Sequence, residues 1–145
     1  MNKRILITTL LLLTAVLLTA CGNNGIEVEE VWGRTSPMAA ANGAFYMTIT
    51  NNTDADDALV GARADVCGTT ELHEMAMGEG GVMSMNPVPD SRIPIPAGDT
   101  VMLEVGGLHV MCLEKAEQFD IGDEFPILLT FEEAGEMEVM AEIRE

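Results

Sequence analysis

The chain has 145 residues, 48% of them hydrophobic, with 24 acidic side chains against seven basic ones and a formal net charge of −17. That length suits one domain around one core. So few Lys and Arg exclude nucleic acid as a partner, because phosphate binding needs clustered cations; the acidic surface favours solubility and draws cations and basic partners toward the protein.

Lys3 and Arg4 stand before an apolar or small-polar run over residues 5–20. A charged stretch followed by an apolar one reads as an export signal and not as part of a fold. The run ends Leu18-Thr19-Ala20-Cys21 and resembles the bacterial lipobox, so Cys21 is expected to be lipidated after cleavage. An uncleaved membrane anchor and cleavage without lipidation are the alternatives. Gly22-Asn23-Asn24-Gly25 reads as a short flexible tether. The expected organisation is a signal peptide over residues 1–20, the lipidated cysteine and tether over 21–25, and one domain over 26–145. Such a protein is exported and held by its lipid at the outer face of the cytoplasmic membrane or in the periplasm. Loss of Lys3 and Arg4 with the signal leaves five basic residues against 24 acidic ones, a net charge of −19.

From residue 26 onward, short β-rich segments alternate with turn residues, which predicts an all-β sandwich or barrel. Strands are expected at 26–32, 44–50, 59–62 and 69–77, with 78–81 as a loop and 82–88 as the returning strand. Pro94, Pro96, Gly98 and Asp99 mark a turn ahead of a strand at 100–105, and Gly106-Gly107 leads into another at 108–113. The last two strands, 125–132 and 136–144, join through Ala134-Gly135. Helical periodicity is weak, although 35–42 and 114–119 have room for a turn or two of helix.

After residue 25 there are two histidines, each two positions before a methionine, in His73-Glu74-Met75 and His109-Val110-Met111. Residues i and i+2 of a strand share a face, so each pair can present an imidazole beside a thioether. Met75, Met77, Met83 and Met85 add a dense methionine cluster. Thioether sulfur is soft and neutral and selects copper(I), which imidazole also suits; it needs no deprotonation and forms no disulfide. Two histidines with two methionines would hold copper(I) yet leave it exchangeable. The competing reading is packing, since methionine commonly fills cores; Met38, Met47, Met102, Met137 and Met140 are assigned to it.

Other chemistry is poorly represented. No Gly-x-Ser-x-Gly, His-Glu-x-x-His or phosphate loop occurs, so no enzyme is expected. Asp54-Ala55-Asp56-Asp57 lacks EF-hand spacing and reads as a solvated turn. A blue-copper electron carrier needs a thiolate with two histidines and a weak axial methionine, in the order histidine, cysteine, histidine, methionine, whereas Cys112 follows both histidines and Met111. Alternation turns Cys112 away from His109 and toward the core. Cys67 and Cys112 can persist as a disulfide outside the cytoplasm or remain two buried thiols. Without copper, a non-metal interaction or adhesion sandwich is the remaining reading.

Trp32-Gly33-Arg34 with Pro37, Tyr46-Met47-Thr48-Ile49-Thr50-Asn51, Leu59-Val60-Gly61-Ala62 and Glu71-Leu72-His73-Glu74-Met75 follow one another in an order that resembles the PCu(A)C family of bacterial periplasmic copper chaperones. Val82-Met83-Ser84-Met85, Ile95-Pro96-Ala97-Gly98 and Gly106-Gly107-Leu108-His109-Val110-Met111 complete the similarity. The resemblance implies a cupredoxin-like, immunoglobulin-type Greek-key β-sandwich that binds copper(I) through His73, Met85, His109 and Met111. It also implies delivery of copper toward cytochrome c oxidase, alongside a Sco-type protein; the acceptor is expected to be that protein or an oxidase subunit, and the chain itself is expected to be a monomer. The segment between Met77 and Val82 departs from the family pattern by one residue. A simple hairpin loop flanked by Met77 and Val82 would set Met85 on the face opposite His73, so that a bulge or a loop-borne ligand is required and Met75 and Met83 become alternates.

Overall fold

The computed structural model describes residues 25–145; the signal segment and Cys21 lie outside them. Ten strands follow in chain order: β1 Ile26–Arg34, β2 Gly43–Asn51, β3 Asp57–Arg63, β4 Cys67–Met77, β5 Met83–Pro87, β6 Ile93–Ile95, β7 Thr100–Leu103, β8 His109–Lys115, β9 Glu124–Phe131 and β10 Gly135–Arg144. They hydrogen-bond in the order β5-β4-β8-β2-β1-β10-β9-β3-β6, with β7 paired to β2. The β1–β10 pair is parallel and the other strand pairs are antiparallel. This sheet folds back on itself, bringing β3 against β4, so the protein is an all-β sandwich of the cupredoxin-like kind. Among the described residues no helix is long and apolar enough to cross a membrane.

Period-two alternation builds the core. Phe45, Met47 and Ile49 of β2 face Ile127, Leu129 and Phe131 of β9, Ala141 and Ile143 of β10, and Val110 and Cys112 of β8 in one buried cluster. Each large apolar side chain enclosed there stabilises the fold by about 1.5–3 kcal/mol. The alternate residues of β2, β4 and β8 point to the opposite face of the sheet.

The structure differs from the sequence expectation at several places. Residues 35–42 form turns and no helix, tied by the Ser36–Phe119 bridge; residues 114–119 likewise hold no helix, because β8 continues to Lys115. β6 occupies a stretch read as turn. Pro94 is tolerated because β6 lies at the end of the sheet, where a missing N–H donor costs no ladder bond, and Ile93 and Ile95 turn inward. Met47 is buried as expected and Met137 packs on the core, but Met38, Met102 and Met140 are exposed.

Asp57 is buried and is no solvated turn residue. Its carboxylate accepts hydrogen bonds from the backbone N–H groups of Ala58, Glu133 and Ala134, fastening the start of β3 to the β9–β10 turn. Burial alone would raise its pKa, but the backbone donors outweigh that and hold it below the ordinary 3.8. A depressed carboxylate adds stability that is present above its unfolded value and is lost as pH falls through the folded one. Asp57→Ala should therefore cost about 2–3 kcal/mol near neutral pH, the scale of hydrogen bonds to a charged group, and less below pH 3. Urea unfolding at both pH values measures this; an equal cost at each would place the effect in packing.

Candidate metal centre

His73 of β4 and His109 of β8 are directly opposed cross-strand partners. Both lie on the face away from the apolar core, since their neighbours Leu72 and Val110 turn into it. Yet they are only 8% and 3% exposed, with ring centroids 5.8 Å apart. Tyr46 lies beyond His109 at 6.2 Å and Trp32 beyond Tyr46 at 4.6 Å, both ring pairs tilted, so a row of aromatic rings flanks one side of the pair.

Hydrogen bonding fixes which nitrogen of each ring is free. His73 Nε2 lies 2.7 Å from Glu71 Oε2, and a carboxylate can only accept, so this nitrogen carries the proton. His109 Nδ1 lies 3.0 Å from the carbonyl oxygen of Gly107 and donates to it for the same reason. Among the described residues, His73 Nδ1 and His109 Nε2 are the buried side-chain polar atoms with no hydrogen-bond partner. Leaving such atoms unsatisfied costs about 1–3 kcal/mol each. Two lone pairs held in this way, each on a ring oriented by a second partner, are the arrangement seen where imidazoles bind metal.

Burial holds the pKa of His109 below the usual 6.5; the Gly107 hydrogen bond opposes this and nearby His73 adds to the lowering. The neutral, lone-pair form therefore persists to lower pH than in a free imidazole. An NMR titration of the metal-free protein should give a His109 midpoint below 6.5. A midpoint at or above that value would mean that water reaches Nε2 and the site is open.

Thioethers are the other soft groups on this face. Met75 is two residues from His73 on β4, and Met111 is two residues from His109 on β8, directly across from Glu71. The β4–β5 hairpin corrects the expected face of Met85. The strands pair Met77 with Met83 and Met75 with Met85, so Val82 belongs to the connection and five residues, 78–82, span the turn. Gly80 and Gly81 at φ 80° and 78° make this connection possible. The odd loop length returns Met83 and Met85 to the face of His73, and no bulge is needed. Met85 and Met111 then line one pocket of about 210 Å³ with Arg34, Ser36 and Ala44, although β4 separates their strands. Among the described residues no three His, Cys, Asp or Glu side chains converge as a metal cluster. Cys67 and Cys112 form a disulfide, with Cys112 wholly buried on the core side, so neither offers a thiolate.

Glu71 and Gly107 were not singled out from the sequence for these tasks. Glu71 was legible in principle, because it stands two residues before His73 and so shares its face. The Gly107 carbonyl carries no side-chain signature and could not be found.

A family model described as LpqE-like, for lipoproteins, matches residues 26–143. A curated relative, "Putative lipoprotein Lxx21020" of Leifsonia xyli subsp. xyli, is 26% identical over 124 residues, which is 84% of this chain and 71% of that protein. Among solved structures, the apo PCuAC domain from PmoF1 superposes with a TM-score of 0.69 at 27% identity, over 82% of this chain and 92% of that one. The solution structure of CuI-DR1885 from Deinococcus radiodurans superposes with a TM-score of 0.61, also at 27% identity, over 82% of this chain and 76% of that one.

Proposed function

This chain belongs to the LpqE-like family, of the PCuAC type, and from that premise we propose that it is an extracytoplasmic copper(I) chaperone and not an enzyme. The observation that carries the reading is the pair of buried, partnerless nitrogens, His73 Nδ1 and His109 Nε2, on facing strands. The copper(I) form of the structurally similar DR1885 from Deinococcus radiodurans supports it. His73, His109, Met111 and Met85 hold the ion, with Met75 as the neighbouring thioether on β4. Imidazole and thioether together favour copper(I), and neither His73 Nδ1 nor His109 Nε2 is taken by a hydrogen-bond partner.

The chemistry suits a carrier. Among the described residues no free thiol remains to make the site irreversibly tight, and Met85 and Met111 line a pocket that an incoming ligand can approach. Copper(I) leaves by exchange of one thioether at a time for a donor of the acceptor, with no change of oxidation state. Copper is thus cargo. Cys21 carries the lipid and anchors a monomer at the outer face of the membrane, a reading supported by the lipoprotein description of the family. Delivery toward cytochrome c oxidase, with a Sco-type protein as acceptor, is the route the family resemblance implies.

An anaerobic copper(I) titration against a coloured copper(I) chelator tests this. One tightly held equivalent is expected. No competition with the chelator would remove the chaperone reading and leave a sandwich that binds partners without metal.

A further inference from the structure

The β4–β5 hairpin carries two methionine pairs, Met75 opposite Met85 and Met77 opposite Met83. The site described above draws on the first pair and leaves the second without a task. Gly78 N donates to Val82 O, and Val88 N donates to Leu72 O, so the hydrogen-bonded pairs of this hairpin are the even-numbered ones. Each methionine pair therefore falls at a non-hydrogen-bonded position, where opposed Cα atoms stand about 4.5 Å apart and side chains lie closest. All four methionines share the face of His73. They form two rungs about 7 Å apart, running from the histidine to the turn.

Packing does not account for the outer rung. Met77 is 73% and Met83 47% exposed, whereas methionine as gap-filler is enclosed. Two adjacent neutral sulfur donors in water are suited to a soft ion.

We propose that Met77 and Met83 form a second, weaker copper(I) site at the hairpin tip, through which the ion passes between solvent or an acceptor and the histidine site. This rests on the copper(I) reading of His73 and His109. Two thioethers without an imidazole bind loosely, which a staging point needs. Their flexible side chains allow a copper–sulfur bond to form on one rung as another breaks on the next. No proton moves, and copper remains copper(I). The acidic surface, at a formal net charge of −17, raises the local concentration of cations around the exposed rung.

The test is Met77→Leu with Met83→Leu, which keeps the apolar volume and removes both sulfurs, studied in anaerobic copper(I) titrations beside the unaltered protein. The unaltered protein should bind one tight and one weaker equivalent. The variant should keep the tight equivalent, lose the weaker one, and release copper(I) to a chelator about tenfold more slowly, ~1.4 kcal/mol of barrier. His73→Ala with His109→Ala should retain the weaker equivalent, with only sulfur from the protein in its X-ray absorption first shell. A leucine variant with unchanged stoichiometry and unchanged release rate overturns the tip site while leaving the histidine site intact. A sulfur-only weak equivalent with no tight one in the unaltered protein would instead refute the histidine reading and keep the tip site.

Discussion

Replacing His73 and His109 together by alanine is expected to abolish tight copper(I) binding while leaving the fold in place. These two rings supply the only imidazole donors after residue 25, and their free nitrogens face the same side of adjacent strands. If each bond to copper is worth even ~2 kcal/mol net, losing both weakens affinity by roughly a thousandfold. The same change should hardly harm the metal-free protein. It removes two buried nitrogens that have no partner, a relief of about 1–3 kcal/mol each, against the small packing and hydrogen-bond loss on a face outside the main core. Thermal unfolding of the metal-free variant should then stay within about 5 °C of the parent, since 1 kcal/mol moves a domain of this size by a few degrees. Chelator competition decides the matter: an unchanged affinity would sink the ligand assignment, and a collapsed melting transition would show that the histidines are structural.

Removing the Cys67–Cys112 disulfide should have the largest effect on stability. The bridge closes a loop with a sequence separation of 45 and ties β4 to β8, the two strands that carry the histidines. For loops of this length the cross-link restricts the unfolded chain by about 4 kcal/mol, and losses of 2–5 kcal/mol are typical of small exported domains. Cys67→Ala with Cys112→Ala should lower the melting temperature by roughly 10–15 °C, and reductant should do the same to the metal-free parent but not to the variant. An equal effect of reductant on both proteins, or none on either, would show that the bond contributes nothing in solution. Since Cys112 points into the core and His109 to the other face, copper affinity below the transition should change much less than stability.

Much of this was readable in the chain because it depends only on near neighbours. The alternation of Phe45, Met47 and Ile49 set one face of β2 toward a core, and the two His-x-Met pairs placed an imidazole and a thioether on one face of their strands whatever the rest of the fold did. Local composition also misled. Pro94 argued for a turn, yet an edge strand accepts it. Met38, Met102 and Met140 argued for packing, yet they lie on exposed surface. Asp57 looked like one of several solvated carboxylates, and it is buried because donors 76 and 77 residues later in the chain come to meet it.

What the sequence by itself determined is the type of chemistry: period-two strands, soft neutral donors, two imidazoles and a cysteine pair. What only the tertiary structure decided is which of these meet. The direct opposition of His73 and His109, the return of Met85 to their face, and the choice of free nitrogen by Glu71 and the Gly107 carbonyl all depend on strand register. Register follows from loop conformation and from pairing between segments far apart in sequence; shifting a pairing by one residue sends every side chain of that strand to the other face.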